Sequence, residues 1–200
     1  MKRLNSVLAL FTIIVLFAGF TNAQSKMAIG VQGGIAIPMG DFGDAVDLGF
    51  GGQGNFAYDV SPFLQVTGSI GYTTWSYKTD SYTTSGSFNT VPLLAGIRYT
   101  FPAKGFKPYV MAQLGVHFIS SKITYDYILI LAKTNGINDA QATYEYSASS
   151  TKFGFGAGAG FLLPLGPKLD LDVNATFNSI STEGSATNYI GIMAGVLVAL

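Results

Sequence analysis

The chain has no cysteine and a single histidine among its 200 residues. Disulfide scaffolds, thiolate metal centres and cysteine nucleophiles are therefore excluded, and a multi-histidine metal site cannot form. Charge is also scarce. Asp, Glu, Lys and Arg supply 11% of the residues, against roughly 25% in ordinary soluble domains, while mean hydropathy is +0.37. The formal net charge is +0, so the chain lacks the basic footprint of a protein that binds nucleic acid. It also lacks a long apolar run. The longest candidate, residues 7–20, is almost wholly apolar and has 14 residues, short of the roughly 20 that a spanning helix needs.

That short run belongs to an N-terminal pattern of its own. Lys2 and Arg3 form a positive head, the apolar stretch follows, and Thr21-Asn22-Ala23 places small residues where a signal peptidase reads. The expectation is a cleaved signal peptide over residues 1–23 and a mature chain from Gln24, with an uncleaved membrane anchor as the alternative. The mature part, residues 24–200, carries nine basic and eleven acidic residues and is the size of one domain. An exported, charge-poor chain with no spanning helix directs attention to strands.

Alternation, the strand period, recurs in eight segments. Met27, Ile29, Val31, Ile35 and Ile37 share one parity, and Ala28, Gly30, Gln32, Gly34 and Ala36 the other. Phe50, Phe56, Tyr58 and Val60 oppose Gly51, Gln53, Asn55, Ala57 and Asp59; Leu64, Val66, Ile70 and Tyr72 oppose Gln65, Thr67, Ser69 and Thr73. Val91, Leu93, Ala95, Ile97, Tyr99 and Phe101 oppose Gly96, Arg98 and Thr100. The fifth segment sets Val110, Ala112, Leu114, Val116 and Phe118 against Gln113, Gly115 and His117. Its parity then inverts to Ile123, Tyr125 and Tyr127, which suggests a bulge or a departure from the membrane. The sixth alternates Phe153, Phe155, Ala157, Ala159, Phe161 and Leu163 with Gly154, Gly156, Gly158 and Gly160. Leu169, Leu171, Val173, Ala175 and Phe177 oppose Asp170, Asp172, Asn174, Thr176 and Asn178, and Ile190, Ile192, Val196, Val198 and Leu200 close the series.

Tight, proline-bearing links follow the second, fourth and sixth segments. Longer or more polar links are expected at 39–49, 79–88, about 128–141, and 182–187. Short turns on one rim and longer loops on the other describe a transmembrane barrel with periplasmic termini. A soluble barrel also alternates, but it packs its large side chains inward and shows charge to water. Here the polar parity is too poor in charge and too rich in glycine to cover a soluble surface. The apolar parity suits lipid, with Tyr58, Tyr72, Tyr99 and Phe101 placed for interfacial girdles. The fold class expected is all-β, an eight-stranded antiparallel up-and-down transmembrane β-barrel.

The stretches Gly33-Gly34-Ile35-Ala36-Ile37-Pro38, Gly40-Asp41-Phe42, Gly68-Ser69-Ile70-Gly71-Tyr72 and Pro92-Leu93-Leu94-Ala95-Gly96-Ile97-Arg98-Tyr99 resemble the outer membrane protein β-barrel domain family, similar in architecture to OmpA/OmpX-type barrels. The resemblance implies outer-membrane localisation, outer-membrane lipid as surroundings, and the barrel-assembly machinery as a partner in biogenesis. Members often end in an aromatic residue which that machinery reads; this chain ends in Leu200.

Few residues suggest chemistry. His117 with Ser120 or Ser121 invites comparison with a lipid hydrolase, but a spacing of three places His117 and Ser120 on opposite faces. Asp41, Asp44 and Asp47 suggest a calcium loop without the alternate-position pattern of an EF-hand, and read better as solvated charge. The glycines from Gly154 to Gly160 alternate within a strand and read as lumen spacers. The apolar run Tyr127-Ile128-Leu129-Ile130-Leu131-Ala132 is either a flap that contacts a surface ligand or packing over the barrel mouth. Asp59, Arg98, Asp170 and Asp172 share inward parity near one rim, and are expected to form a lumen cluster that plugs the barrel. No cofactor, metal or catalytic set is expected. Three functional classes remain: a non-enzymatic outer-membrane barrel serving envelope integrity or surface contact, a slender porin-like pore or hydrophobic-molecule conduit, and a lipid-modifying enzyme.

Overall fold

The computed structural model describes residues 26–78, 85–103, 105–126, 143–182 and 185–200. The signal segment and the apolar run at 127–132 lie outside the described residues. Eight strands follow in order: β1 (Met27–Met39), β2 (Gly49–Asp59), β3 (Leu64–Ser76), β4 (Ser85–Thr100), β5 (Lys107–Asp126), β6 (Thr143–Pro164), β7 (Leu169–Thr182) and β8 (Ser185–Ala199). Each pairs antiparallel with its sequence neighbour, and β1 pairs with β8 from Ala28↔Ala199 to Met39↔Asn188. The sheet is thus a closed up-and-down barrel.

Alternation sorts the side chains as the period requires. Phe50, Ile70, Tyr72, Leu93, Ile97, Leu114, Phe118, Phe153 and Phe155 stand exposed on the outside, an apolar belt of the kind a bilayer core demands. Tyr58, Tyr99 and Phe101 gather outside at the short-turn end, with Tyr99 and Phe101 in edge contact at 5.2 Å. Gln32, Thr73, Thr90, Arg98, His117, Asp172, Asn174, Thr176 and Asn178 are buried on the inside.

Three expectations are corrected at the long-loop end. The β5–β6 pairing runs in unbroken register from Lys107↔Leu162 to Asp126↔Thr143, so no bulge follows Ser120. The inverted polarity there is a change of surroundings: past Phe118 the outward positions are Ser120, Lys122 and Thr124, which suit water rather than lipid. The second link is shorter than 79–88, because β4 already begins at Ser85 and pairs with β5 at Ser85↔Thr124. The fourth link shrinks to two residues, since β7 and β8 stay paired up to Thr182↔Ser185.

The first link is more ordered than a solvated loop. Residues Asp41–Ala45 form a helical turn, α1, whose Asp41 and Asp44 are exposed. The chain after it bridges back at Val46↔Tyr77, with Asp47 N–H donating to the Ser76 carbonyl at 2.8 Å and Lys78 N–H to the Ala45 carbonyl at 3.0 Å. These bonds hold α1 across the barrel mouth.

A barrel closed entirely by backbone pairing resists detergent until heated. Folded protein run unheated in dodecyl sulfate gels is expected to migrate apart from the boiled sample; a single band unchanged by boiling would contradict the closed barrel.

Candidate functional site: the barrel interior

The interior is built in layers from the short-turn end inward. At that mouth, Gln65 Nε2 donates to Asp59 Oδ1 at 2.7 Å, and Lys107 Nζ lies 3.9 Å from Asp170 Oδ2. These groups line an open cavity of about 340 Å³ together with Phe63 and Lys168. The pairing Lys107–Asp170 is half in water and contributes little.

The next layer is buried. Arg98 Nη2 meets Asp172 Oδ2 across the barrel at 3.2 Å, and the two side chains are only 4% and 2% exposed. The Tyr109 hydroxyl donates to Asp172 Oδ1 at 2.6 Å, and its ring lies under the guanidinium at 4.5 Å. Charge, hydrogen bond and ring face thus converge on one buried carboxylate. Leu162 of the adjacent β6 and Leu197 of β8 pack on Tyr109.

Of the four residues expected to cluster, the structure brings together Arg98 and Asp172. Asp59 and Asp170 sit one layer nearer the mouth and engage Gln65 and Lys107 instead. Arg98 therefore binds one acid rather than bridging two, and its Nε and Nη1 have no hydrogen-bond acceptor among the described residues. Tyr109 does the second part of the holding, a role the sequence reasoning missed. The available signal was a large aromatic on a parity otherwise given to Gln113, Gly115 and His117.

Above this layer comes a band of amides and hydroxyls. Gln32 Oε1 accepts from Gln53 Nε2 at 2.8 Å and from Asn55 Nδ2 at 2.9 Å. Gln113 Nε2 donates to Asn178 Oδ1 at 3.3 Å, and Asn178 Nδ2 to Thr176 Oγ1 at 3.2 Å. The void among them is about 20 Å³, room for about one water. His117 Nδ1 lies 3.4 Å from Thr90 Oγ1, while Ser121 Oγ pairs with the Tyr77 hydroxyl at 2.8 Å. His117 thus faces neither serine. Asp41, Asp44 and Asp47 do not converge; among the described residues no three His or acidic side chains are placed to hold a metal.

The long-loop end is closed by aromatic rings. Trp75 is 1% exposed, donates its Nε1 proton to the Ala36 carbonyl at 3.1 Å, and makes edge contacts with Phe42, Phe88 and Tyr189 at 5.4, 5.8 and 5.1 Å. Phe42 comes from α1, so the helical turn is the lid and Trp75 its seat.

Glycines make room for these rings. A Cβ on Gly160 would stand 2.6 Å from the Tyr109 ring and hydroxyl, and one on Gly154 would stand 2.7 Å from the His117 ring. Gly49 makes the same space for the Trp75 indole. Gly154, Gly156 and Gly160 of β6 thus make room for His117, Gln113 and Tyr109 on β5, whereas a Cβ on Gly158 would meet Ala175 and Thr176 of β7.

Residues 7–196 match the outer membrane protein beta-barrel domain family. No curated protein matches the chain. Among solved structures, neisserial surface protein A is 19% identical, with 88% of this chain and 98% of that one covered and a TM-score of 0.57. Ail, the attachment invasion locus protein of Yersinia pestis, is 18% identical over 86% and 97%, with a TM-score of 0.52. A major outer membrane protein from Thermus thermophilus is 15% identical over 86% and 98%, at 0.51. Likeness at these identities is likeness of fold.

Two expected outcomes follow for urea unfolding in lipid. Arg98→Ala leaves the Asp172 carboxylate buried and unpaired, and lowers stability by about 3–5 kcal/mol, whereas Arg98→Met combined with Asp172→Leu recovers most of the loss. Gly160→Val drives a side chain into Tyr109 and costs about 1–3 kcal/mol. Midpoints unmoved by either single change would show that the layer does not bear on stability.

Proposed function

The chain belongs to the outer membrane protein β-barrel domain family, and on that premise we propose that it is a sealed, non-enzymatic barrel of the outer membrane, contributing to envelope integrity or surface contact rather than to transport. Its tight turns face the periplasm and its long-loop rim faces outward. Outer-membrane lipid surrounds it, and the barrel-assembly machinery inserts it.

The observation that carries this reading is closure from both sides. The Arg98–Asp172–Tyr109 layer blocks the short-turn half and the Phe42–Trp75–Phe88–Tyr189 cluster blocks the other. Between them a pocket lined by Gln53, Gln113 and Asn178 holds about 20 Å³, room for about one water, which supports a closed interior. Against a lipid-modifying enzyme stands the position of His117, turned into the interior against Thr90 and away from the bilayer. With transport and catalysis set aside, what such a barrel offers its surroundings is its outer rim.

Wild-type protein in planar bilayers is expected to give no steady single-channel current. Removing the lid ring and its seat together, Phe42→Ala with Trp75→Ala, is expected to leave the barrel closed at the Arg98 layer. Steady conductance by the wild type would overturn the sealed reading and favour a narrow pore.

A further inference from the structure

The short-turn mouth is a cup with a floor. Its cavity of about 340 Å³ has the room of roughly ten waters. The cavity is lined at its inner end by Leu162 and Leu197, the two side chains that pack on Tyr109 in the buried layer. Its wall is made of strand ends and tight links that are themselves bonded. Val60 N–H donates to the Leu64 carbonyl at 2.9 Å across one link, and Leu165 N–H to the Leu169 carbonyl at 2.8 Å across another. A ligand there meets a cavity already formed, so little ordering is lost on binding.

Four charged side chains line this cup, Asp59, Lys107, Lys168 and Asp170, and their formal charges sum to zero. They are not evenly mixed. In a closed ring of eight strands β2 stands opposite β6. Asp59 ends β2, whereas Lys107 at the start of β5 and Lys168 just before β7 flank β6. One wall is thus acidic and the wall facing it carries both lysines. Asp170 stands beside the lysines, but its 3.9 Å contact with Lys107 is long for an ion pair and partly exposed.

The acidic wall is short of donors and of positive charge. The half-buried Asp59 accepts a hydrogen bond from the neutral Gln65 amide at 2.7 Å and forms no ion pair among the described residues. The other end of that amide, Gln65 Oε1, is buried and accepts no hydrogen bond there. A carboxylate and an unused carbonyl side by side call for one group that brings a positive charge and several N–H donors, and an ammonium does both. A metal ion suits the place less well, because among the described residues no three His or acidic side chains converge.

We propose that the short-turn mouth binds a small zwitterionic peptide of two or three residues, free at both ends. Its ammonium sits on Asp59 and Gln65. Its carboxylate takes Lys107 from the loose contact with Asp170, with Lys168 alongside. An apolar side chain lies against Phe63, Leu162 and Leu197. A single amino acid carries both charges on one carbon and falls short of one wall. A long peptide cannot keep both termini inside the cup.

The test titrates ¹⁵N-labelled barrel, residues 24–200, in phosphatidylcholine nanodiscs with alanyl-leucine and follows the backbone amide shifts. Saturable shifts confined to the short-turn mouth are expected. N-acetylated alanyl-leucine, its C-terminal amide, free leucine and penta-alanine are each expected to bind about tenfold more weakly or worse. Asp59→Asn is expected to bind the free and the N-acetylated dipeptide alike, and Lys107→Gln to bind the free and the amidated one alike, while both variants keep the heat-dependent gel shift. A variant that has merely lost its shape would weaken every ligand by the same factor. No saturable shift, equal binding of free and capped dipeptides, or full discrimination retained by either variant overturns the proposal. Displacement of the dipeptide by magnesium chloride at matched ionic strength also overturns it, by giving the mouth to a cation. Single-channel current from the same preparation reports separately on the sealed barrel.

Discussion

A backbone N–H or C=O left without a partner in hydrocarbon costs several kcal/mol, and that penalty dictates the architecture. Eight strands of this length satisfy it only by closing, with β1 bonded to β8 over twelve residue pairs. Closure converts the strand period into two environments, because each successive side chain must choose lipid or interior. The scarcity of charge follows from the first environment and the wealth of glycine from the second. Outside, Phe, Ile, Leu and Val face acyl chains; inside, the volume enclosed by eight strands admits few large groups.

Those few large groups are the ones that determine what the interior can do. Tyr109, His117 and Trp75 each occupy space left by a glycine on an adjacent strand, Gly160, Gly154 and Gly49 respectively. Packing inside so narrow a barrel is therefore pairwise between strands rather than collective around a centre. The buried ion pair fits the same logic. Arg98 on β4 and Asp172 on β7 lie on opposite walls, and desolvating both is tolerable because Tyr109 gives the carboxylate a hydrogen bond and the guanidinium an aromatic face.

The strands, their order and the facing of nearly every residue were legible in the sequence, since period two is a local property. The contact of Arg98 with an acid was legible as well, because inward parity and distance from the proline turns together locate a side chain in a narrow tube. What escaped were quantities that alternation does not carry. Parity places Asp170 and Asp172 on one face but does not say which lies level with Arg98; that depends on how adjacent strands are staggered. The roles of Trp75 and Tyr109 depend on glycines far away in the chain, invisible until the register is known. The lid formed by α1 depends on the bridge at Val46↔Tyr77, a pairing between a loop and a strand end. The polarity change after Phe118 was open to two readings, a bulge or a departure from the membrane, and only the unbroken β5–β6 register decides for the second.

That boundary also explains why the barrel is regular in one half and uneven in the other. Within hydrocarbon each strand must have two neighbours, and β1 to β8 all do. Above it, water satisfies an unpaired edge at little cost, so strand length is released from the closure requirement. β5 and β6 use that freedom by continuing to Asp126↔Thr143, whereas β7 and β8 turn back at Thr182↔Ser185. An extension that bore no cost in water yet gained nothing would ordinarily be blunted with charge or proline, since an open edge invites unwanted pairing. In β6, residues 143–151, beyond the pairing with β7, carry one charge, Glu145, and no proline. The least constrained part of the molecule is thus the part whose form closure does not explain.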